Sequence, residues 1–149
     1  MNLVLIRHGK SVWNLENKFT GWYDIELAPE GFLEAEKAAT YLIENDFKPE
    51  VCFTSYLQRA NKTLEIILKH MPVKLVQDVE IIKSWKLNER HYGALQGLNK
   101  DDTKKKYGDE QFLEWRRSYN TPPPVLEEES SMNPRNDPIY KNENKDELP

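Results

Sequence analysis

The spacing of apolar side chains predicts alternating strands and helices along the first 118 residues. The predicted strands cover residues 2–6 and 51–54, with strand-like pieces in 73–82, and the predicted helices cover 29–44, 56–71 and 109–118. Short apolar runs that end in polar residues favour buried strands, whereas apolar positions three and four residues apart favour helices. Pro29 fits the first turn of a helix, where its missing N–H is not needed. This order of elements predicts an α/β fold with a parallel sheet.

The same spacing predicts which faces of the helices are buried. The first long helix places Ala35, Ala38, Ala39, Leu42 and Ile43 on one face, and the second places Leu57, Ala60, Leu64, Ile67, Leu68 and Met71 on one face. We expect both faces to contribute to the core of the α/β domain.

The last thirty residues differ from the rest of the chain. Six of the nine prolines lie between residues 120 and 149, three of them consecutive from Pro122 to Pro124. The same segment holds seven acidic and three basic side chains, a difference that equals the whole net charge of −4. We predict an α/β domain over residues 1–119, and a polar loop or disordered tail over residues 120–149.

Composition excludes several classes of protein. Hydrophobic residues make up 38% of the chain, and four Trp, seven Tyr and five Phe are too many for a fully disordered protein. No apolar run is long enough to span a membrane, and the single cysteine, Cys52, excludes an intrachain disulfide framework. Because charge is balanced over residues 1–119, nothing favours nucleic acid as a partner. With no signal peptide in the first residues, we expect a cytoplasmic protein.

His8 is the first candidate for chemistry. It follows the predicted strand 2–6, and in parallel sheets ligands bind beyond the carboxyl ends of the strands. Arg7 precedes it and Gly9, which allows a close approach of main chain to ligand, follows it. A neutral imidazole beside an arginine favours a nucleophile that receives a phosphoryl group. A structural histidine at a strand end remains the alternative.

The loop from residue 85 to residue 100 supplies a candidate acid or base. Glu89, beside Arg90 and near Tyr92, would serve in proton transfer if it were partly desolvated. An ion pair that orders the loop is the alternative. No Cys/His spacing or carboxylate cluster suggests a metal site.

Five blocks of residues carry a family resemblance. The blocks are residues 5–9 with Ser11, Trp13 and Asn14; residues 19–24; Thr54, Ser55, Leu57, Arg59 and Ala60; residues 85–100; and residues 107–110 with 115–117. In this order they resemble the histidine phosphatase superfamily and, within it, the cofactor-dependent phosphoglycerate mutases. The similarity covers essentially the whole chain, and residues 88–97 separate this group from the general phosphatases.

The resemblance implies a three-layer α/β fold, with a mainly parallel sheet flanked by helices and with the carboxy-terminal part missing. It implies a glycolytic and gluconeogenic isomerase that interconverts 2-phosphoglycerate and 3-phosphoglycerate through a phosphohistidine. Its cofactor is 2,3-bisphosphoglycerate, which primes the histidine, and it uses no metal. Its partners are phosphoglycerates and a second copy of the chain in a homodimer, with no nucleic acid and no membrane.

The resemblance also implies roles for individual residues. His8 matches the phosphorylated nucleophile, and Glu89 matches the proton donor and acceptor. The positions that match substrate contacts are Arg7, Asn14, Thr20, Gly21, Arg59, Arg90, Tyr92, Lys100, Arg116 and Arg117.

Two departures from the family pattern leave alternatives open. Lys10 stands where family members usually carry glutamate, and no histidine follows His91, although the family has a second catalytic histidine in a later strand. We expect this chain to be the amino-terminal part of such an enzyme, with little or no mutase activity by itself. The alternatives are a histidine phosphatase that hydrolyses a phosphomonoester, and a fragment that binds ligand without catalysis.

Overall fold

The structure, a computed structural model, describes residues 2–149. It divides them into two compact units, one formed by the residues up to Val12 with Asp24–Asn88, the other by Trp13–Tyr23 with Glu89–Pro149. The helices are α1 (Val12–Leu15), α2 (Pro29–Glu44), α3 (Gln58–His70), α4 (Val73–Val76), α5 (Lys100–Tyr107) and α6 (Asp109–Arg117), and the strands are β1 (Val51–Thr54) and β2 (Glu80–Lys83). The boundary predicted between residues 119 and 120 stays a prediction.

The first unit contains a parallel sheet. β1 pairs with β2 in parallel, in a register that runs from Val51 opposite Glu80 to Thr54 opposite Lys83. Parallel neighbours need a crossover connection, and α3 lies in that connection. The predicted α/β class with a parallel sheet and flanking helices is confirmed, and so are the predicted bounds of α2 and β1.

The strand predicted over residues 2–6 is not formed. These residues adopt neither helix nor strand, and Leu3 and Leu5 expose 80% and 86% of their surface. A strand needs a hydrogen-bonded neighbour, and within residues 2–149 the sheet consists of β1 and β2 alone. The apolar run therefore satisfies the sequence pattern of a buried strand without a partner that would bury it.

Helices α2 and α3 pack around the main core of the first unit. Ala39 and Leu42 of α2 meet Ile67 of α3 and Met71, which follows that helix. Ala35 joins Leu27 and Ile66 in a neighbouring cluster. The predicted apolar face of α2 is confirmed, because its members are buried or packed against these clusters.

The predicted start of α3 is wrong, whereas its predicted apolar face is confirmed in part, because Leu57, Ile67 and Met71 are buried. The helix begins at Gln58 rather than residue 56, where the Asp24 carboxylate accepts the Gln58 backbone N–H at 2.7 Å. This contact satisfies one of the N–H groups that a helix start leaves free. Within the helix, the polar residues Arg59 and Thr63 are buried with Ile66 and Ile67, whereas Ala60, Leu64 and Leu68 are half-buried.

The strand-like stretch predicted over residues 73–82 contains two elements. It begins with the short helix α4 after Pro72, and only its end, from Glu80, belongs to β2. Proline favours helix starts because its φ angle is already helical, which explains why an apolar run directly after Pro72 turns into a helix.

The second unit has its own aromatic core. Phe19, Leu95 and Phe112 are buried together, with Tyr92 and Trp115 packed against them. Phe19 is fully buried, and its ring meets the rings of Tyr92 at 5.0 Å and Phe112 at 5.8 Å between centroids.

Short 3-10 helices cover Trp85–Leu87 in the first unit, and Gly93–Leu95, Pro138–Tyr140 and Lys145–Glu147 in the second. No helix within residues 2–149 is both long and apolar enough to cross a membrane.

Gly9 and Gly31 allow two main-chain segments of the first unit to touch. A Cβ atom built on Gly9 would clash with the Gly31 carbonyl, and one built on Gly31 would clash with the Lys10 carbonyl. The Ala28 N–H donates to the Lys10 carbonyl at 2.8 Å in the same place. The segment after His8 therefore lies directly on the start of α2.

Gly31→Ala should destabilise the protein by roughly 1–3 kcal/mol, because the new methyl group forces two backbones apart. Alanine gains about 1 kcal/mol of helix propensity over glycine, so a loss would identify the clash as dominant. Urea unfolding measures the effect, with the exposed α2 variant Lys37→Ala as the control, expected within about 0.5 kcal/mol of the parent. Equal or greater stability of Gly31→Ala would contradict the close approach.

Candidate functional site

His8 lies half-buried in the first unit, directly after residues 2–7, which form neither helix nor strand. Its Nδ1 atom lies 2.7 Å from the Gly9 carbonyl oxygen. Because a carbonyl can only accept, Nδ1 carries the proton and donates. The Arg59 Nε–H donates to His8 Nε2 at 3.3 Å, so Nε2 is the unprotonated nitrogen and its lone pair accepts this bond. The ring is thus fixed in the tautomer whose Nε2 atom is nucleophilic.

Burial and positive charge keep the His8 ring neutral. Burial is the main cause that lowers the pKa of His8 below its usual value, and the charges of Arg59 and Arg7 lower it further. The hydrogen bond to the Gly9 carbonyl and the charge of Glu34 act in the opposite direction but do not reverse the shift. A lowered pKa leaves the imidazole unprotonated at neutral pH, as a nucleophile requires.

The Thr63 hydroxyl group connects Gly9 to helix α3. The Gly9 N–H donates to the Thr63 hydroxyl oxygen at 3.0 Å, and that hydroxyl donates to the Arg59 carbonyl at 2.8 Å. Arg59 exposes only 1% of its surface and Thr63 only 4%. A buried guanidinium needs partners that disperse its charge, and His8 Nε2 is one of them.

Arg7 and Lys10 flank His8 and have exposed side chains. Lys10 donates its backbone N–H to the Glu34 carboxylate at 2.7 Å. Lys10 therefore uses its main chain, rather than its ammonium group, to bring an acidic side chain of α2 beside the histidine segment.

In the second unit, four of the sequence-predicted site residues lie together. Burial is the first cause that raises the pKa of the Tyr92 hydroxyl, and the charge of Glu89 adds to it. Arg116, which is hydrogen-bonded to that hydroxyl, and Arg90 lower the same pKa. The structure thus brings one carboxylate and two guanidinium groups within electrostatic reach of one phenol.

Arg90 and Arg116 keep buried N–H groups without hydrogen-bond partners in the described residues. The two terminal nitrogens of Arg90 donate to the Ser118 carbonyl at 2.6 Å and the Thr121 carbonyl at 3.1 Å. The buried Nε atoms of Arg90 and Arg116 have no such bond within residues 2–149. Unpartnered charged donors suit the oxygens of an anionic ligand.

Thr20 and Gly21 lie against the same loop. The Thr20 side chain is buried, and its hydroxyl has no hydrogen-bond partner within the described residues. Gly21 has a φ angle of 57°, and a Cβ atom there would lie 3.1 Å from the Tyr92 backbone nitrogen. Glycine at this position therefore allows Thr20 to sit close to the residues around Tyr92.

The remaining predicted contacts are spread over the second unit. Asn14 lies in α1, Lys100 begins α5, and Arg117 ends α6 with an exposed side chain. The Lys100 backbone N–H donates to the Asn17 carbonyl at 2.8 Å. The role of these three residues in binding stays a prediction. Within residues 2–149, no three His, Cys, Asp or Glu side chains form a group that could hold a metal ion.

Sequence reasoning missed Thr63, Trp22 and Gln96. The Trp22 indole N–H donates to the Glu89 carbonyl at 2.7 Å, and the Trp22 backbone N–H donates to the Gln96 side-chain oxygen at 2.7 Å. A signal for Thr63 was available, because it follows Arg59 by four residues and so shares its face of α3. No local sequence pattern predicts the contacts of Trp22, because its partners lie more than 60 residues away along the chain.

Thr63→Val should cost roughly 1–3 kcal/mol of stability, because it leaves the Gly9 N–H buried without an acceptor. Thr63→Ser keeps the hydroxyl group and should lose less. Urea unfolding of both variants measures the difference. If valine proves as stable as serine at this position, the Thr63 bridge does not hold the His8 segment.

Comparisons with known proteins identify the family of this chain. The family model described as histidine phosphatase superfamily (branch 1) matches residues 3–144. The 2,3-bisphosphoglycerate-dependent phosphoglycerate mutase of Nautilia profundicola is 54% identical over 140 residues, which cover 94% of this chain and 60% of that protein. The chain thus spans less than two thirds of this relative's length.

Two solved structures are similar to this chain. The native mycobacterial glucosyl-3-phosphoglycerate phosphatase matches with a TM-score of 0.62 and 25% identity, over 78% of this chain and 50% of that one. Bacillus stearothermophilus YhfR matches with a TM-score of 0.61 and 26% identity, over 73% and 50% of the two chains. The chain belongs to the histidine phosphatase superfamily.

Proposed function

We propose that this chain is part of a 2,3-bisphosphoglycerate-dependent phosphoglycerate mutase, an isomerase that interconverts 2-phosphoglycerate and 3-phosphoglycerate. The observation that carries the proposal is His8, a neutral imidazole whose Nε2 lone pair is directed to Arg59 while Nδ1 is occupied by the Gly9 carbonyl. The 54% identity to a protein of that name supports the choice of reaction.

His8 acts as the phosphoryl acceptor. Its Nε2 atom attacks phosphorus, the P–O bond of the phosphate ester breaks, and a P–N bond forms. The Arg59 Nε–H, which contacts Nε2, is placed to shift towards the phosphoryl oxygens, where a cation stabilises the charge of the transferring group. Arg7, exposed beside it, adds positive charge. 2,3-Bisphosphoglycerate supplies the phosphoryl group that primes His8.

Positive and polar side chains of the second unit are suited to an anionic ligand. Arg116 and Arg90 offer buried Nε–H donors, and Thr20 offers a buried hydroxyl, all suited to the oxygens of a phosphate or carboxylate. Gly21, Tyr92, Asn14, Lys100 and Arg117 complete the proposed set of binding residues. The same donors would hold 2,3-bisphosphoglycerate, which is anionic throughout.

Glu89 handles the proton of the sugar-acid hydroxyl. Its side chain is exposed, while its charge reaches the half-buried Tyr92. A carboxylate in this position accepts the proton when the hydroxyl attacks the phosphohistidine and returns it to the leaving oxygen in the reverse step.

We further propose that this glycolytic and gluconeogenic mutase works in the cytoplasm, on phosphoglycerates and as a homodimer. Phosphatase activity is the second candidate, because a solved structure with the same fold is a glucosyl-3-phosphoglycerate phosphatase. The fate of the phosphoryl group on His8 separates the two.

Incubation with 2,3-bisphosphoglycerate labelled with ³²P should place acid-labile, base-stable phosphate on the protein. We expect His8→Ala to take up no label, because no other imidazole has the same environment. His70→Ala, an exposed residue at the end of α3, is the matched control and should label like the parent. Label that persists in His8→Ala would refute the assignment of the nucleophile.

The labelled protein also distinguishes the two reactions. A mutase transfers its label to added 3-phosphoglycerate, whereas a phosphatase releases inorganic phosphate to water. Release that does not depend on the added acceptor would favour the phosphatase.

Glu89→Gln should slow the loading of His8 by roughly 10²–10⁴-fold, the usual range for a lost general acid or base. Its affinity for 2,3-bisphosphoglycerate, measured by calorimetry, should stay within about twofold, because the amide keeps the shape of the side chain. Glu110→Gln, an exposed acid in the first turn of α6, is the control. A loss confined to affinity would show that Glu89 binds ligand rather than moving protons.

A further inference from the structure

Trp22 forms hydrogen bonds with residues 89 and 96, which bound the part of the loop that carries Glu89. Its indole N–H donates to the Glu89 carbonyl at one end, and its backbone N–H donates to the Gln96 side chain at the other, each at 2.7 Å. The Trp22 side chain is buried, with 8% of its surface exposed. One residue therefore fixes the main chain at Glu89 relative to the end of its own loop.

His91 supports this arrangement from within the loop. Its ring meets Trp22 edge to face, with centroids 5.7 Å apart, and its Nδ1 atom accepts the Gly93 N–H at 3.0 Å. That bond requires an unprotonated Nδ1 atom. Burial lowers the pKa of His91 to about 4, so the ring remains neutral and keeps this role at physiological pH.

The far end of the loop and the Trp22 ring have further contacts. Gly93 adopts a φ angle of 52°, and a Cβ atom there would clash with the Pro124 carbonyl. The Ala94 N–H donates to that same carbonyl at 2.8 Å. The Tyr140 ring stacks on Trp22 with centroids 5.0 Å apart. Trp22 thus packs against the rings of both His91 and Tyr140. The Glu89 side chain itself is exposed.

We propose that Trp22 and His91 are positioning residues for Glu89, which they hold through its main chain rather than through its carboxylate. This proposal rests on the proton-transfer role proposed for Glu89. The backbone that carries Glu89 helps to set the position that its carboxylate can reach. A shift of about 1 Å in a reacting group can reduce the rate about 10²-fold.

Three variants separate the contacts. Trp22→Phe keeps an aromatic ring but removes the indole N–H that holds Glu89. His91→Phe keeps a ring against Trp22 but removes the acceptor for the Gly93 N–H. His91→Asn is the conservative variant, because its side-chain oxygen occupies nearly the position of Nδ1 and can accept that bond. Trp115→Phe, in the core around Phe112, is the matched control for the loss of an indole ring.

Two measurements on the 149-residue chain test the proposal. The first is the single-turnover rate of His8 loading from labelled 2,3-bisphosphoglycerate, with affinity measured separately. The second is NMR of Glu89, namely its amide order parameter and the side-chain couplings that report its rotamers, in the absence of ligand.

We expect Trp22→Phe and His91→Phe to slow loading about tenfold or more while affinity stays within about twofold. In both, Glu89 should show a lower order parameter and averaged rotamers. His91→Asn should recover loading to within about threefold of the parent, and Trp115→Phe should resemble the parent in both measurements. Unchanged rates and unchanged Glu89 order in the first two variants would overturn the proposal, as would losses of affinity alone.

The two proposals fail in different ways. If the parent chain takes up no label, the proposed function fails in this chain, and the NMR measurement alone decides the positioning role. A lower Glu89 order parameter in Trp22→Phe and His91→Phe, with recovery in His91→Asn, would still support the positioning role. If the Glu89 order parameter in all three variants equals that of the parent, the positioning role is rejected.

Discussion

The hydroxyl group of Thr63 is the contact on which the geometry around His8 depends. It accepts the N–H of Gly9 and donates to the carbonyl of Arg59, so the residue after the histidine is fixed to the helix that carries the arginine. Because a buried N–H without a partner is costly, the segment cannot leave α3 without losing stability. The contact between Arg59 Nε and His8 Nε2 follows from this attachment. The Thr63 hydroxyl bridge therefore both stabilises the fold and positions His8, the candidate nucleophile.

The chemistry of His8 follows from its surroundings. Burial and the neighbouring arginines lower the pKa of His8 against the opposing effect of Glu34, and the Gly9 carbonyl determines which nitrogen holds the proton. Both effects favour a neutral ring with an unprotonated Nε2 atom. The arginine that makes Nε2 its acceptor is also a donor for phosphoryl oxygens, so one guanidinium serves the free and the phosphorylated histidine in the proposed reaction.

Elements whose stability is local could be predicted from the sequence. The α2 helix begins at its proline and buries the alanine face that its spacing predicts. Residues 2–6 form no strand, because apolar pattern alone does not supply a hydrogen-bonded neighbour. On α3, apolar periodicity missed the buried Arg59 and Thr63, since polar residues are buried only where distant partners satisfy them. His8 was found as a candidate from its place in the sequence, whereas the contacts of Trp22 join residues more than 60 positions apart and no local pattern encodes them.

The state of the His8 ring is the central claim, and ¹⁵N NMR of the imidazole nitrogens tests it most directly. The three histidines of the chain can be assigned with His8→Ala and His70→Ala. Long-range ¹H–¹⁵N spectra recorded from pH 4 to 8 should show His8 with its proton on Nδ1 and an unprotonated Nε2, titrating below the ordinary histidine pKa of about 6.5. A proton on Nε2 in the neutral ring, or a pKa of His8 at or above 6.5, would contradict this account of the nucleophile.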